Sequence, residues 1–282
     1  MRGPWPVFAA VRIIHPFPTL LNVAATAGLA FVAADGHPNG GTLARMLLVM
    51  LCAQCAIGVA NDIYDRELDA ATKPWKPLVA GSVRMRVAVA LALAFAVSSA
   101  VLAATLGAAG FALALLGMAC GLAYDARLKR TALSALPYMI AIPTLPLWVW
   151  VTLGAWEDVL WWLAPLGALI GLSLHLANTL PDIEADQSHG VRGLAHRIGA
   201  ERSRIAAWGS FALALALAAV IAPYVDYDAR VMAPALAFAA ACLAASVGVW
   251  IVRRDTGALQ FGFGALSIGS AVAAVGWLAA VT

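Results

Sequence analysis

The chain has 282 residues, of which 63% are hydrophobic and only 12% are charged. A soluble domain of this size carries about twice that share of charged residues, so the composition indicates an integral membrane protein. The formal net charge is only +3, and no periodic aromatic and basic pattern accompanies it, which argues against a nucleic-acid-binding protein.

Apolar segments long enough to cross a bilayer recur along the whole chain. A membrane-spanning helix needs about 20 mostly apolar residues. Nine segments qualify, at roughly 12–33, 43–62, 85–106, 108–124, 132–153, 159–180, 203–223, 230–252 and 258–280. We therefore predict an all-α, polytopic membrane protein with nine transmembrane helices, in which residues 1–282 form a single transmembrane domain.

The distribution of basic residues predicts the orientation of these helices. If the N-terminus is cytoplasmic, all but two of the 18 Lys and Arg residues lie on the cytoplasmic side, and Arg45 and Arg230 are the exceptions. Cytoplasmic loops of membrane proteins carry such an excess of basic residues. We expect the N-terminus inside, the C-terminus outside, and a bacterial plasma membrane as the location.

Two acidic motifs interrupt the apolar pattern. The first reads N-D-x-x-D-x-x-x-D at 61–69, at the cytoplasmic end of the second segment, and the other reads D-x-x-x-D at 182–186, at the cytoplasmic end of the sixth. Carboxylates are costly near a bilayer, which favours a functional role. Transporter acids usually lie near the membrane midplane, so this placement argues against a transporter.

The spacing of the acids predicts that each motif presents oxygen atoms on one helix face. At about 100° per residue, the acids of each motif share a narrow arc, and Glu67 and Glu184 point to the far sides. The first arc carries Asp62, Asp65 and Asp69, and the second carries Asn178, Asp182 and Asp186. Two such faces aimed at a common space would bind a hard cation.

Basic residues follow each acidic motif. Lys73 and Lys76 follow the first, Arg192 follows the second, and Lys129 and Arg130 lie in the loop after the fourth segment. Carboxylates surrounded by Lys and Arg suggest a cation that bridges to a polyanion, and Mg²⁺ prefers oxygen ligands and phosphates. Cytoplasmic Lys and Arg residues are also ordinary topology signals, so both interpretations stay open.

Together these features resemble the UbiA superfamily of intramembrane prenyltransferases. The resemblance includes both acidic motifs, the stretch 73–78 (Lys-Pro-Trp-Lys-Pro-Leu) with Gly81, and the stretch 190–199. It implies a UbiA-type helix bundle around a central cavity that opens laterally to membrane lipid. It also implies two Mg²⁺ ions, which hold the diphosphate of an isoprenoid donor between the motifs.

The resemblance also implies roles for individual residues. The metal ligands would be Asn61, Asp62, Asp65, Asp69, Asp182 and Asp186, and the catalytic acids among them would be Asp62, Asp65, Asp182 and Asp186. The diphosphate would be bound by Arg66, Lys73, Lys76, Tyr124, Lys129, Arg130 and Arg192. The acceptor would be bound by Arg12, Asn22, His175 and Asn178, although His175 suits a packing role equally well, and Arg12 suits a membrane-surface anchor.

The expected reaction is Mg²⁺-dependent transfer of a prenyl group to a small, aromatic acceptor, with release of diphosphate. Two alternatives within the superfamily stay open. One is prenyl transfer to a sugar phosphate, and the other is a terpene cyclase that needs no acceptor. Outside the site, Trp148, Trp150, Trp161 and Trp162 are predicted to form an aromatic belt at the outer membrane interface.

Overall fold

A computed structural model gives the structure of residues 11–188 and 190–281. The regular secondary structure of these ranges is helical, and nine helical stretches in them are long and apolar enough to cross a membrane. This confirms the predicted all-α membrane fold. The helices are α1 (Pro16–Ala33), α2 (Gly40–Tyr64), α3 (Arg66–Thr72), α4 (Met85–Ala104), α5 (Ala108–Ala126), α6 (Leu136–Leu153), α7 (Leu163–Thr179), α8 (Ile183–Ser188), α9 (Leu194–Ile198), α10 (Ala200–Ile221), α11 (Ala229–Arg253) and α12 (Thr256–Val281).

The first spanning helix begins later than predicted. Ile13 and Ile14 form a turn, and His15 has a left-handed backbone conformation with φ of 49°. Helix α1 then begins at Pro16, because proline has no N–H to leave unpaired and its ring presets a helical φ angle. Arg12 therefore precedes this turn and does not lie on α1.

The prediction that the first acidic motif lies on one continuous helix is wrong. Helix α2 ends at Tyr64, Asp65 caps it with φ of −93° and ψ of 5°, and α3 follows. The backbone hydrogen bonds nevertheless keep helical spacing, from Asp65 N to Asn61 O at 2.9 Å and from Asp69 N to Asp65 O at 2.7 Å. The carboxylates of Asp62, Asp65 and Asp69 are accordingly all buried, whereas Glu67 is exposed.

The second acidic motif also spans a helix end rather than one helix. Helix α7 ends at Thr179, a 3₁₀ turn covers Leu180–Asp182, and α8 follows. Pro181 lies in this turn and has no N–H for an α-helical hydrogen bond, which accounts for the break. The side chain of Glu184 lies outside the described part of the structure.

One compact unit contains residues 11–127 and 148–155. Helix α2 is at its centre and packs against α1, α4 and α5. An ideal Cβ on Gly58 would lie 3.2 Å from the carbonyl of Ile14 and 3.3 Å from Cβ of His15. The glycine thus lets the segment before α1 lie directly against α2, which brings His15 to the first acidic motif.

A second compact unit contains residues 128–147 and 156–281. Helix α7 packs against α10 and α12, around a core that includes Leu176, Phe211 and Leu266. An ideal Cβ on Gly171 would lie 2.5 Å from the carbonyl oxygen of Tyr138, so the backbones of α6 and α7 nearly touch. The grouping of residues 1–282 into one domain stays a prediction.

The predicted aromatic belt is wrong for two of its four members. Trp148 and Trp150 are 2% and 0% exposed, whereas Trp161 and Trp162 are 67% and 37% exposed. A lipid-facing and a protein-facing tryptophan on a spanning helix both lie in apolar surroundings, so sequence position alone does not distinguish them. Trp148 and Trp150 therefore contribute to packing inside the protein.

Candidate functional site

Lys76 lies between two carboxylates of the first acidic motif. Its Nζ atom is 2.8 Å from Oδ1 of Asp62 and 2.6 Å from Oδ2 of Asp69. Both aspartates are buried, and the lysine side chain is only 15% exposed. Removal from water makes such ion pairs sensitive to the loss of either partner. Lys76 is therefore the counter-ion of the first motif.

A proline-rich turn folds Lys76 back onto these acids. Lys73 and Lys76 are the first and last residues of a β-turn in which Lys76 N donates to Lys73 O at 3.0 Å, with Pro74 at the position that proline favours. Burial lowers the pKa of Lys76, but the hydrogen bonds and charges of Asp62 and Asp69 outweigh it and hold that pKa above its usual value. The ammonium group is thus charged throughout the physiological pH range.

His15 is the second partner of Asp62. Its Nε2 atom lies 2.8 Å from Oδ1 of Asp62, the same oxygen that accepts from Lys76. The other oxygen of this carboxylate, Oδ2, is buried and has no hydrogen-bond partner in the described ranges. A buried carboxylate oxygen needs a partner, so this atom marks a place where a cation would bind favourably.

Asn61 connects the first motif to the end of α5. Its Nδ2 atom donates to Oδ2 of Asp65 at 3.1 Å and to Oδ1 of Asp125 at 2.8 Å. Both carboxylates are buried, so the amide separates two negative charges that would otherwise repel each other. With its amide hydrogens used in this way, Asn61 keeps its carbonyl oxygen as a potential ligand.

The remaining predicted residues of the first unit lie in varied surroundings. Arg66 and Lys73 are exposed, and Tyr124 is half-buried next to Asp125. Arg12 is exposed, and Asn22 is half-buried on α1, where its amide donates to Pro18 O at 2.9 Å. The flexible side chains of Arg66 and Lys73 are thus accessible to a ligand.

The second acidic motif is less buried than the first. Asp182 is exposed and Asp186 is half-buried. Nε2 of His196 is 3.7 Å from Oδ2 of Asp186, which is too long for a hydrogen bond. Burial lowers the pKa of His196, although the charge of Asp186 opposes that shift. His196 is therefore mainly neutral at neutral pH.

Two predicted acceptor residues of the second unit lie on α7, where His175 is buried and Asn178 is half-buried. His175 is 2% exposed, and its Nε2 atom lies 2.9 Å from Oγ of Ser134. Its ring packs against Tyr138 with the centroids 5.2 Å apart, and Asn178 Nδ2 lies 3.5 Å from the Tyr138 hydroxyl. This placement favours the packing role for His175.

The predicted phosphate-binding residues of the second unit lie in two loops. Lys129 is half-buried and Arg130 is exposed, in the 3₁₀ turn after α5. Arg192 is exposed, and its carbonyl oxygen accepts from Nε of Arg197 at 3.0 Å. This bond orders the backbone around Arg192 and leaves its guanidinium group open to a ligand.

The oxygen-rich donor set of the acidic motifs fits the chemistry of Mg²⁺. No group of three or more His, Cys, Asp or Glu side chains within the described ranges is arranged to hold a metal ion. In the first motif the reason is visible, since the ammonium group of Lys76 lies between Asp62 and Asp69. The buried, unpartnered Oδ2 of Asp62 and the hard carboxylate donors nevertheless suit this ion.

Sequence reasoning did not assign two residues of this site. His15 lies 47 positions from Asp62, and no local spacing links them. Asp125 is 5% exposed and lies near the end of α5. The two motifs stand out in the sequence because their acids lie at the ends of apolar segments. Asp125 has the same placement, which would have indicated it as a candidate site residue.

Comparisons of the sequence with known proteins all indicate the same family. The family model described as the UbiA prenyltransferase family matches residues 21–268. The digeranylgeranylglyceryl phosphate synthase of Methanothrix thermoacetophila is 29% identical over 179 residues, which cover 63% of this chain and 67% of that protein. The 4-hydroxybenzoate octaprenyltransferase of Photobacterium profundum is 26% identical over 191 residues, 67% of each chain.

Solved structures share the fold. A UbiA homologue from Archaeoglobus fulgidus bound to GPP and Mg²⁺ superposes with a TM-score of 0.76 at 18% identity, over 94% of this chain and 99% of that one. A structure of a digeranylgeranylglyceryl phosphate synthase has the same TM-score at 15% identity, over 97% of both chains. With the family model matching most of the sequence, this chain belongs to the UbiA prenyltransferase family and is a prenyltransferase.

Proposed function

We propose that this prenyltransferase transfers a prenyl group from an isoprenoid diphosphate to a small acceptor within the membrane, in an Mg²⁺-dependent reaction that releases diphosphate. The observation that carries the proposal is the set of three buried aspartates of the first motif, Asp62, Asp65 and Asp69. Two of them, Asp62 and Asp69, hold the ammonium of Lys76 between them. Buried acids at the end of an apolar helix suit a substrate with a polar head and a membrane-soluble tail.

The two acidic motifs would provide the metal ligands. We assign this role to the oxygen atoms of Asn61, Asp62, Asp65, Asp69, Asp182 and Asp186, for two ions. Mg²⁺ bound there would supply positive charge that stabilises the departing diphosphate. Asp62, Asp65, Asp182 and Asp186 are the acids that we consider essential for catalysis. The unpartnered Oδ2 of Asp62 supports this role.

The basic side chains would bind the remaining phosphate oxygens. Charge-assisted hydrogen bonds from Lys and Arg are the strong contacts that proteins use for this purpose. The exposed side chains of Arg66, Lys73, Arg130 and Arg192 are accessible for such contacts. The full proposed set is Arg66, Lys73, Lys76, Tyr124, Lys129, Arg130 and Arg192.

The chemistry of the transfer is a substitution at the first carbon of the donor. The bond between this carbon and the diphosphate oxygen breaks, and its electron pair leaves with the diphosphate. The acceptor then forms a new bond to that carbon and loses a proton. The residues of this chain hold the diphosphate in place and neutralise its growing charge, while the apolar helix walls exclude water.

The acceptor is proposed to be a small aromatic molecule. The relative named 4-hydroxybenzoate octaprenyltransferase supports this choice. Several relatives are instead named digeranylgeranylglyceryl phosphate synthase, and they support a glycerol phosphate acceptor as the second candidate. Arg12, Asn22 and Asn178 are the proposed acceptor contacts. His175 is only 2% exposed, which supports a packing role for it instead. Cyclisation without an acceptor is the third possibility that the assay must separate.

We further propose that the N-terminus and the site face the cytoplasm of a bacterium, with the C-terminus outside. The excess of Lys and Arg residues on one side of the predicted membrane supports this orientation. Reporter fusions after Thr282 would test it. A reporter that is active only in the periplasm should be active when fused at this position. Activity of a cytoplasm-specific reporter fused at the same position would refute the orientation.

The central experiment measures diphosphate release by the purified protein with Mg²⁺ and a panel of prenyl diphosphates. Each donor is tested without acceptor, with an aromatic acceptor and with a glycerol phosphate acceptor, and the lipid products are identified by mass spectrometry. Release that requires an acceptor indicates a transferase, and hydrocarbon product without acceptor indicates a cyclase.

Variants of the acids test the site within the same assay. Asp62→Ala and Asp182→Ala should abolish Mg²⁺-dependent release while the protein remains monodisperse in detergent. Asp226→Ala, at an exposed acid in the loop before α11, is the matched control and should retain activity. Undiminished release by either site variant would overturn the proposal.

A further inference from the structure

Ser134 joins two loops of the second unit. The serine is 1% exposed, and its Oγ atom accepts a hydrogen bond from Leu194 N at 2.8 Å. The same oxygen lies 2.9 Å from Nε2 of His175, which is also buried. A hydroxyl group both donates and accepts, so Ser134 satisfies both partners at once. One buried oxygen therefore connects three elements: the loop after α5, helix α7 and the start of α9.

The two loops are also in tight contact through Gly193. An ideal Cβ at this glycine would lie 2.7 Å from the carbonyl oxygen of Lys129 and 3.0 Å from Oγ of Ser134. The distance to the Lys129 carbonyl is shorter than real Cβ atoms show, so only glycine allows the two backbones to approach this closely. The close approach at Gly193 and the hydrogen bond from Leu194 N to Ser134 Oγ thus join the same two loops at neighbouring residues.

The residues on either side of this junction are the basic residues of the two loops. Lys129 and Arg130 precede Ser134 by a few positions, and Arg192 precedes Gly193 directly. Hydrogen bonds order the chain next to the junction, from Ser134 N to Thr131 O at 3.2 Å in the first loop and from Arg197 Nε to Arg192 O at 3.0 Å in the second. The position of the junction therefore sets the position of the backbone that carries three cationic side chains.

We propose that Ser134 and His175 are positioning residues that dock the two loops, so that Lys129, Arg130 and Arg192 form one phosphate-binding surface. This inference rests on the proposed function, because it assigns the surface to the diphosphate head of the substrate. His175 contacts no phosphate in this arrangement. It holds the Ser134 hydroxyl in place from α7, the helix that leads to Asp182, and thereby couples the loops to the second acidic motif.

The first test is hydrogen–deuterium exchange, which does not depend on activity. Ser134→Ala removes the acceptor of the Leu194 N–H, and exchange in residues 190–198 should become faster. Leu194→Pro removes the donor instead. Proline is tolerated at the first helical position, and Gly193 has the extended ψ of 179° that a residue before proline needs. Exchange of residues 128–134 should increase in that variant as well.

The matched control is Ser246→Ala. Ser246 is buried in the same unit, and its Oγ atom accepts a hydrogen bond from Nε1 of Trp208 at 3.0 Å, between α10 and α11. Loss of the Ser246 hydroxyl should leave the exchange of residues 190–198 unchanged. Unchanged exchange of both loops in Ser134→Ala and Leu194→Pro would overturn the docking.

The second test measures by calorimetry the affinity of the protein for inorganic diphosphate in the presence of Mg²⁺. Ser134→Ala should weaken binding about tenfold, the order expected when one charge-assisted contact is lost. In turnover, the KM for prenyl diphosphate should rise by a similar factor with kcat nearly unchanged. Faster exchange with unchanged diphosphate affinity would overturn the positioning role. A wild-type protein that binds no diphosphate would refute the proposed function itself, and the exchange result would still decide the docking.

Discussion

Replacement of Lys76 by methionine should make the stability of the protein depend on Mg²⁺. The substitution keeps the length and apolar stem of the side chain but removes the charge that lies 2.8 Å from Asp62 and 2.6 Å from Asp69. The two carboxylates have only 1% and 3% of their side-chain surface exposed, so they would be left buried without their counter-ion.

The size of the effect follows from this geometry. Removal of one partner of a buried ion pair costs about 3–5 kcal/mol. We expect the lower end, about 3 kcal/mol, because His15 still contacts Asp62. A cation that binds the folded state should recover much of this loss, since a ligand at 100 times its Kd stabilises by about 2.7 kcal/mol.

The assay compares thermal midpoints in detergent, first with EDTA and then across a titration of MgCl₂. Lys76→Met should unfold at a clearly lower temperature than the wild type in EDTA and gain more from Mg²⁺ than the wild type does. Lys73→Met is the control, because Lys73 is an exposed lysine of the same turn. Equal midpoints for the two variants in EDTA, or no additional gain from Mg²⁺ in Lys76→Met, would refute the counter-ion role.

Three further predictions test metal dependence, helix packing and a helix cap. Chelation of divalent cations should abolish prenyl transfer, and added Mg²⁺ should restore it; full activity after dialysis against EDTA would contradict the metal assignment. Gly171→Ala should lower the thermal midpoint, because its Cβ would lie 2.5 Å from the Tyr138 carbonyl, whereas Gly209→Ala has open space and should not. At the start of α12, the hydrogen bond from Ala258 N lowers the pKa of Asp255, so this cap stabilises above pH 3.8 and is lost as the pH falls further. The stability difference between wild type and Asp255→Ala should therefore shrink in acid, and a pH-independent difference would contradict it.

The spanning helices were predictable because the length of an apolar run is a direct requirement of the bilayer. Their ends were less predictable, since they depend on single residues. The turn before Pro16 and the break at Pro181 arise where a proline stands in or after the apolar run, and hydrophobicity alone does not detect them. The acidic motifs were found by their contrast with this apolar background.

The interactions within the site were much harder to predict. The contact of His15 with Asp62 needs the close approach of two backbones at Gly58, which only a folded structure reveals. The family resemblance implies that Lys76 is a phosphate ligand, but its contact with Asp69 depends on how the proline-rich turn folds. Local spacing predicts which residues share a helix face. The contacts of His15 and Lys76 instead depend on how separate segments pack together in the folded chain.

The two hydrogen bonds of Asn61 have a consequence for the ageing of the purified protein. Deamidation converts this side chain to aspartate, which has nearly the same shape but no hydrogen atoms to donate. The new carboxylate would lie 2.8 Å from the Asp125 oxygen and 3.1 Å from the Asp65 oxygen, both acceptors as well. A chemical change of one group would thus turn attraction into repulsion between this residue and two buried carboxylates. We expect stored preparations to lose function in step with deamidation at this asparagine, which peptide mass spectrometry would measure.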